Sequence, residues 1–342
     1  MSMNRREFLK TATIASVGAV AAGRASAASA EGAKLALPPG EMFKGMSGAW
    51  AAMYTPYVPG DKSLQAPVNY EIIPKMVEYF VKKGLVGLYL TGSTGEGFLL
   101  SDDERRRVYA RAAKAVKGRA KLIAHVGCLS TENAVALAKY AADVGCDWVS
   151  SVAPVYFGQN FEAAYGHYKT ISEATDLPFL IYSVGKTIDP ERDVRLFSLK
   201  NVKGMKYTGY AYWSVQALKR RLDKPAIFFA GADEQVLSAL AARDVFSGCI
   251  GTTDNVIPGH FVKICELAAK GAFRSAAVLQ DEVVRLVELL SEKDNESWHK
   301  EMMRYVGFDC GSSRAPSGRP LTDEEYAALC GKLDKLGFVT KG

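Results

Sequence analysis

Residues 86–116 read VGLYLTGSTGEGFLLSDDERRRVYARAAKAV, and this stretch contains one complete strand–loop–helix unit. The apolar run Val86–Leu90 is followed by a glycine-rich turn. Ser101-Asp102-Asp103-Glu104 then forms a capping-box pattern with acidic residues in the first helical turn. A strand followed directly by a helix is typical of a βα unit, in which the next strand runs parallel to the first.

The same alternation occurs eight times along the chain. The other seven apolar, β-rich runs, each followed by an amphipathic helical stretch, are Ala49–Thr55, Lys121–Val126, Trp148–Val152, Phe179–Val184, Val202–Tyr207, Ala226–Ala230 and Gly248–Thr252. Eight units in about 230 residues predict an α/β fold that closes into a (β/α)8 TIM barrel. An open doubly wound sheet is the alternative. It is disfavoured because no G-x-G-x-x-G motif follows the first strand.

Helical periodicity continues after the eighth unit. Three further helices are predicted, over Ala272–Lys293, Glu296–Val306 and Thr322–Leu336. The barrel is therefore assigned to residues 47–271 and a C-terminal helical extension to residues 272–342. Residues 31–46 are predicted to be a linker, because Pro38-Pro39-Gly40 stands at their centre.

The first thirty residues predict an export signal. Asn4-Arg5-Arg6-Glu7-Phe8-Leu9-Lys10 is a twin-arginine pattern, and a weakly apolar stretch follows it. Two small-x-small motifs then end at Ala27 and Ala30. We therefore expect a twin-arginine signal peptide over residues 1–30, cleavage near Ala27 or Ala30, and a periplasmic protein. A frayed basic N-terminus on a cytosolic protein is the alternative.

Composition excludes several classes of protein. Of the 342 residues, 48% are hydrophobic and 23% are charged, which supplies a large core and excludes a disordered or collagen-like chain. No apolar run reaches the roughly eighteen residues of a membrane-spanning helix. The net charge is +6, but residues 1–30 hold four basic residues and one acidic one, so the remainder carries about +3. That charge is too small to predict binding to nucleic acid.

The cysteines and histidines do not form a metal-binding pattern. No pair of cysteines has C-x-x-C spacing, and the four histidines are scattered, so no metal site is predicted. The six cysteines are interpreted as small buried hydrophobic residues. In an oxidising periplasm some of them could pair, and the sequence leaves open which.

Lys206 is the most informative single residue. It lies near the end of the apolar run Val202–Tyr207, and it points into the barrel if Gly204 does. A lysine inside a barrel is paired, neutral or reactive. Burial lowers the pKa of an amine, and an unprotonated amine can attack a ketone to form a Schiff base. The alternatives are a side chain that snorkels out to solvent, or an ion pair with Glu96 or Asp233.

Polar groups also follow neighbouring strands, at the end of the barrel where TIM-barrel active sites lie. The turn Gly92-Ser93-Thr94-Gly95 offers backbone N–H groups and two hydroxyls, which suit a carboxylate, although it is also an ordinary βα turn. No lysine follows it, so a P-loop nucleotide site is not predicted. Tyr182 ends the fifth strand and could transfer a proton through a hydroxyl such as Thr94. A core aromatic is the alternative.

Two further candidates stand after the fourth and seventh strands. Tyr156 presents the same choice as Tyr182, between proton transfer and packing. Asp233 and Glu234 could bind the hydroxyls of a polyol. Alternatively, they are acidic residues that stabilise the N-terminus of a helix.

These residues together resemble the N-acetylneuraminate lyase/dihydrodipicolinate synthase family of class I, pyruvate-dependent aldolases. The similarity extends over about residues 48–335, and its marks are Gly92-Ser93-Thr94-Gly95-Glu96, Leu180-Ile181-Tyr182 and Gly204-Met205-Lys206-Tyr207-Thr208. The resemblance implies a TIM barrel, a homotetramer, a small 2-oxo acid as substrate, and no metal or organic cofactor, because the lysine itself supplies the electrophile.

The resemblance also implies roles for the matching positions. Lys206 would form a Schiff base with the C2 ketone of pyruvate or a longer 2-oxo acid. Tyr182 would transfer the proton at the C4 hydroxyl, and Tyr156 would complete the relay from a neighbouring subunit. The implied catalytic residues are Lys206, Tyr182, Thr94 and Tyr156, and the implied substrate-binding residues are Ser93, Thr94, Thr208, Gly231, Asp233, Glu234 and Thr252.

Within the family, the lyase branch is the more similar one. Lys121–Cys128 reads KLIAHVGC, as in the lyases, and Asp233-Glu234 matches their acidic pair for the polyol tail of a sugar acid. The synthase branch has an arginine five residues after the tyrosine, where this chain has Thr187. The chain departs from the lyases at Ser183, where they have asparagine, and at Gly185, where they have proline.

The sequence therefore predicts a carbon–carbon lyase that cleaves a 2-oxo sugar acid, such as N-acetylneuraminate, to pyruvate and an aldehyde. Two alternatives stay open. One is another reaction on the same lysine, either sugar-acid dehydration or condensation of the dihydrodipicolinate synthase type. The other is a non-catalytic periplasmic barrel that binds 2-oxo acids.

Overall fold

Eight parallel strands close into a barrel in the computed structural model of the chain, which describes residues 35, 37–157, 160–242 and 245–342. The strands are β1 Gly48–Ala52, β2 Gly87–Leu90, β3 Lys121–His125, β4 Trp148–Val152, β5 Phe179–Val184, β6 Val202–Thr208, β7 Ile227–Ala230 and β8 Gly248–Gly251. They follow one another in sequence order, and β8 pairs with β1 to close the sheet. The prediction of a TIM barrel is confirmed.

Helices alternate with the strands as expected. They are α1 Ile73–Lys82, α2 Asp102–Val116, α3 Thr131–Asp143, α4 Phe161–Ser172, α5 Pro190–Asp193, α6 Tyr212–Lys219, α7 Val236–Ala241 and α8 Pro258–Ala269. Three C-terminal helices follow: α9 Phe273–Leu290, α10 Glu296–Tyr305 and α11 Asp323–Leu336. All three lie within three residues of their predicted bounds.

The first strand differs most from its prediction, which extended it to Thr55. The ladder ends at Ala52, and the Tyr54 N–H donates to the Asn255 side chain (3.3 Å) rather than to a neighbouring strand. Asn255 Nδ2 in turn donates to the Ala52 carbonyl (2.8 Å). A side chain from the β8–α8 loop thus satisfies the backbone where β1 stops, and the chain is free to turn away from the sheet.

Side-chain caps determine where several helices begin. At α2, Ser101 Oγ accepts the Glu104 N–H (3.2 Å), and Glu104 Oε2 accepts the Ser101 N–H (2.9 Å), which confirms the predicted capping box. At α5, Asp189 accepts the N–H groups of Glu191 and Arg192. Thr322 and Glu325 form a second capping box at α11.

Substitution of Ser101 by alanine is expected to destabilise the protein by about 1 kcal/mol, because the Glu104 N–H loses its acceptor at an N-cap position. Thermal unfolding of the variant beside the parent measures the loss. Ser198→Ala is a suitable control, since its hydroxyl donates to the Arg195 carbonyl at the surface and caps no helix start. Equal effects of the two substitutions would contradict the capping role.

Large apolar side chains fill the amino-terminal half of the barrel interior. Trp50 and Phe229 pack edge to face with centroids 5.6 Å apart. Residues 41–46, predicted as the end of the linker, pack against this layer: Phe43 lies 6.0 Å from Trp148, and the Met46 carbonyl accepts the Trp50 Nε1–H (3.1 Å). Phe43 and Met46 are too few to form a periodic pattern. The sequence therefore does not indicate that this segment covers the amino-terminal end of the barrel interior.

Three other expectations bear on the rest of the chain. The six cysteines are free, and the interpretation as small buried residues is confirmed for all of them except Cys330, which is partly exposed. Among the residues that the structure describes, none of the helices combines the length and hydrophobicity required to cross a bilayer. The predicted signal peptide, residues 1–30, lies outside the described residues.

Candidate active site

The register of β5 and β6 brings the two central residues of the candidate site together. Tyr182 is paired directly with Lys206, and Lys206 is paired in turn with Phe229 of β7. Because alternate residues of a strand face the same side, Gly204, Lys206 and Thr208 all point into the barrel. The prediction that Lys206 faces inward is therefore confirmed, and its exposed fraction is only 5%.

Aromatic rings, rather than carboxylates, surround the Lys206 amine. Nζ lies 4.4 Å from the centroid of the Tyr182 ring and 4.8 Å from that of Tyr89. Glu96, one of the two carboxylates considered as an ion-pair partner, is bound to Lys300 instead. Asp233, the other, accepts its hydrogen bonds from Thr253. The amine is thus held in a sheltered position without being neutralised by an ion pair.

Gly231 provides the space that the lysine side chain occupies. A Cβ at this position would lie 2.9 Å from Lys206 Cε and 2.1 Å from Thr208 Oγ1. Any larger residue would therefore displace the reactive side chain. The Thr208 hydroxyl is buried and lies close enough to the Tyr182 hydroxyl to influence its pKa. It makes no hydrogen bond of normal geometry with another residue that the structure describes, so it is available to a bound molecule.

The Tyr182 hydroxyl is the group best prepared to lose a proton. Burial raises the pKa of Tyr182, but the Lys206 ammonium and interactions with the Ser93 and Thr208 hydroxyls outweigh it, so the pKa lies below that of an ordinary tyrosine. A phenol with a lowered pKa is a better general base near neutral pH. The arrangement therefore suits proton transfer beside the amine.

The β2–α2 loop presents the two predicted hydroxyls. Ser93 is exposed and interacts with the Tyr182 hydroxyl, whereas Thr94 Oγ1 lies 2.7 Å from Thr252 Oγ1. Within this chain, the Tyr182 hydroxyl therefore interacts with Ser93, whereas the predicted relay residue Thr94 contacts Thr252. The loop is strained, because Thr91 and Glu96 both have positive φ, at 50° and 53°.

Two residues of the site were not predicted from the sequence. Tyr89 of β2 and His125 of β3 face the barrel interior, and their rings lie 6.0 Å and 6.1 Å from that of Tyr182. Burial, with smaller contributions from Arg105 and Lys206, lowers the pKa of His125 to about 3, so its ring is neutral. The Tyr89 and Ser150 hydroxyls are 2.8 Å apart. Period-two alternation within β2 and β3 is the signal that would have identified both.

A cavity of about 730 Å³ opens beside Thr208, between the loops that follow β5, β6 and β7. Its lining includes Lys186, Thr187, Tyr210, Trp213, Gly231 and Glu234. The Tyr210 hydroxyl donates to Glu234 Oε1 (2.6 Å), which orients that carboxylate at the cavity wall. The cavity therefore offers a carboxylate, hydroxyls and aromatic surface to the distal end of a molecule bound at Lys206.

Asp233 and Glu234, the two acidic residues predicted to bind a polyol, differ in their exposure to solvent. Glu234 is partly exposed, whereas Asp233 is 7% exposed, and its Oδ2 accepts the Thr253 N–H (2.8 Å) and hydroxyl (2.7 Å). The Asp233 carboxylate is therefore engaged inside the protein. Tyr156 is 74% exposed on the β4–α4 loop and is not brought to Lys206 within this chain.

Comparisons with known proteins agree with this geometry. The Dihydrodipicolinate synthetase family profile matches residues 45–335. CdNal from Clostridium difficile, solved in complex with mannosamine, is 28% identical with a TM-score of 0.78, over 85% of this chain and 99% of that one. N-acetylneuraminate lyase from Mycoplasma synoviae is 29% identical with a TM-score of 0.77, over 86% and 99% of the two chains.

A synthase is equally similar in structure. Dihydrodipicolinate synthase from Aquifex aeolicus is 26% identical with a TM-score of 0.78, over 86% of this chain and 100% of that one. The profile match covers most of the chain, and lyases and synthases both appear among its structural relatives. The chain therefore belongs to the Dihydrodipicolinate synthetase family.

Proposed function

We propose that the protein is a class I aldolase that cleaves a 2-oxo sugar acid to pyruvate and an aldehyde through a Schiff base on Lys206. The observation that carries the proposal is the Lys206 amine, which is 5% exposed, free of a carboxylate partner and 4.4 Å from the Tyr182 ring. Family membership supports an aldolase-type enzyme, and the site chemistry requires no cofactor.

The residues can be assigned to successive steps. The Lys206 amine attacks the C2 ketone, and loss of water gives an iminium ion that accepts electrons. The Tyr182 phenolate takes the proton of the C4 hydroxyl, the C4 oxygen forms a carbonyl, and the C3–C4 bond breaks to leave an enamine. Protonation at C3 and hydrolysis then release pyruvate and return the free amine. In this proposal, the Ser93 and Thr94 hydroxyls hold the substrate carboxylate.

The distal cavity favours the lyase reaction over the synthase reaction. In the synthase branch an arginine at the position of Thr187 would hold a second carboxylate. This chain has the exposed Lys186 beside Thr187, and a lysine lacks the planar fork that binds a carboxylate with two hydrogen bonds. Glu234 suits hydroxyl groups, because an ionised carboxylate accepts hydrogen bonds and repels another carboxylate. We therefore assign a hydroxylated tail to the substrate.

Borohydride reduction in the presence of pyruvate tests the proposal. The expected result is a stable adduct whose mass is that of pyruvate less one oxygen, located at Lys206 by peptide mapping. Pyruvate release is then measured with N-acetylneuraminate, a 2-keto-3-deoxy sugar acid and a 4-hydroxy-2-oxo-dicarboxylic acid. Adduct formation without any cleavage would favour a binding barrel, and water loss without pyruvate would favour a dehydratase.

Substitution of Tyr182 by phenylalanine is expected to lower kcat for cleavage by about 10²–10⁴-fold, which is the usual contribution of a general acid–base group. The pyruvate adduct at Lys206 should survive, because the amine retains its position. Steady-state kinetics and borohydride trapping together separate the two effects. A variant that traps no pyruvate would show that the Tyr182 hydroxyl is already needed for formation of the Schiff base, before the C3–C4 bond is cleaved.

The proposal extends to assembly and location. The exposed Tyr156 supports a homo-oligomer, with a tetramer expected from the family resemblance, in which this residue reaches a neighbouring site. The twin-arginine pattern at residues 4–10 supports a periplasmic protein. Sedimentation velocity and fractionation of cells expressing the full chain test these two statements.

A further inference from the structure

Two buried carboxyl groups face each other beneath the candidate site. Asp233 follows β7 and Asp254 follows β8, and their exposed fractions are 7% and 0%. A Cβ at Gly251 would lie 1.9 Å from Asp233 Oδ1 and 2.5 Å from Asp254 Oδ2, so both oxygens contact the same face of that glycine. Only a glycine leaves room for the pair.

Three of the four carboxyl oxygens have no hydrogen-bond partner of normal geometry in the part of the chain that the structure describes. Asp233 Oδ2 is satisfied by Thr253, but Asp233 Oδ1 and both oxygens of Asp254 are buried and accept no hydrogen bond from another residue that the structure describes. Two adjacent ionised carboxylates without donors would repel each other in a medium that screens charge poorly. One proton between them removes that repulsion and supplies the missing donor.

Charged and polar side chains from several elements surround the pair. Lys206 of β6 favours ionisation of both carboxyls, whereas Glu234 opposes ionisation of Asp233. Cys249 of β8 and Cys265 of α8 lie beside Asp254, and Tyr54 after β1 interacts with Asp233. From α9, the neutral Gln280 side chain donates to the Asp233 carbonyl (3.0 Å). Burial dominates these effects and raises the pKa of both acids, most strongly that of Asp254.

We propose that Asp254 is a positioning residue whose protonated carboxyl donates a hydrogen bond to Asp233 Oδ1. This bond holds the loop that carries Gly231 and Glu234 against the loop that carries Thr252. Asp254 touches no substrate, and it acts by fixing the distal wall of the cavity. The inference rests on the proposed function only for its kinetic test.

The shared proton makes this wall sensitive to alkaline pH. A carboxyl whose pKa is raised in the folded state contributes its stabilisation fully at low pH and loses it as the pH rises through that pKa. Above that point two negative charges face each other across Gly251. The loops then separate, so KM for a substrate with a hydroxylated tail should rise with pH more than kcat falls.

Infrared difference spectroscopy tests the proton directly. The expected spectrum of the parent at pH 7 contains the carbonyl band of a neutral carboxylic acid, which is lost in Asp254→Asn. Asp223→Asn, which changes an exposed carboxylate at the opposite end of β7, should retain the band. This measurement requires no turnover, so it separates failure of the inference from failure of the proposed function. Absence of the band in the parent would overturn the inference.

Kinetics test the positioning role. Asp254→Asn keeps an N–H donor for Asp233, so we expect KM for the cleaved sugar acid within about twofold of the parent and no alkaline rise. Asp254→Leu supplies no donor, and we expect KM roughly tenfold higher with pyruvate trapping at Lys206 unchanged. An alkaline rise of the same size in Asp254→Asn and the parent would contradict the proposal, even if the leucine variant does not fold.

Discussion

Replacement of Lys206 by methionine is expected to abolish the pyruvate adduct and to lower kcat/KM for cleavage by about 10⁴-fold or more, as expected for loss of a covalent nucleophile. Methionine nearly matches the length of the lysine side chain and preserves the packing beside Gly231, but it has no amine to attack the ketone. Borohydride trapping and a pyruvate-release assay measure the two losses. The other residues of the site remain able to bind a 2-oxo acid, so the variant should still bind this ligand although it no longer cleaves the substrate.

Lys203→Met is the matched control for this prediction. Lys203 lies on the same strand, three residues earlier, and its amine donates to the Lys200 carbonyl rather than entering the barrel. This variant should keep both the adduct and the activity of the parent. Retention of the adduct in Lys206→Met would place the Schiff base on a different amine, and the proposed function would then fail.

Substitution of Lys300 by methionine is expected to destabilise the protein by about 3–5 kcal/mol, the usual cost of leaving a buried charge without its partner. Lys300 Nζ lies 2.7 Å from Glu96 Oε1 and 3.7 Å above the Tyr57 ring, and both charged side chains are almost completely buried. Burial lowers the pKa of Lys300, against the opposing effect of the Glu96 carboxylate. Without the ammonium, the hydrogen bonds that Glu96 retains among the described residues are those from the Tyr57 hydroxyl and the Arg314 N–H.

Two further variants distinguish this effect from a general loss of packing. In Glu96→Gln/Lys300→Met the buried charges are both removed, so we expect most of the stability to return. Lys332→Met breaks an ion pair with Glu292 at the surface and should cost no more than about 1 kcal/mol. The measurement is the melting temperature of each variant. Equal losses in Lys300→Met and Lys332→Met would contradict the importance of the buried pair.

The parts of the fold that repeat were predictable from the sequence. Each strand is a short apolar run bounded by turn residues, and the eight runs differ from the observed strands only at their ends. The inward orientation of Lys206 follows from alternation along β6, and its contact with Tyr182 follows from the rule that parallel strands end at one edge. The apolar pattern of each strand and closure of the barrel are sufficient to predict the strands, the orientation of Lys206 and its contact with Tyr182.

Contacts between distant segments were not predictable in the same way. Glu96 is 204 residues from Lys300 in the sequence, and neither residue stands in a pattern that indicates an ion pair. The inward direction of Asp233 depends on Gly251 and Thr253, in the loop after the next strand. Tyr89 and His125 lie on predicted strands, but their contribution depends on how strands of the closed barrel bring their rings beside Tyr182.

The position of Glu96 has a consequence for the order in which segments of the protein can fold during synthesis. This residue belongs to the second of the eight units, yet the ammonium that neutralises it, on Lys300, and one of its hydrogen-bond donors, the Arg314 N–H, are supplied by segments that the ribosome makes much later. When only the eight barrel units of a nascent chain have left the ribosome, Glu96 must stay in water or be buried without the Lys300 ammonium. We therefore expect the turn that carries Ser93 and Thr94 to reach its final shape only after the C-terminal segment has emerged and packed against the barrel.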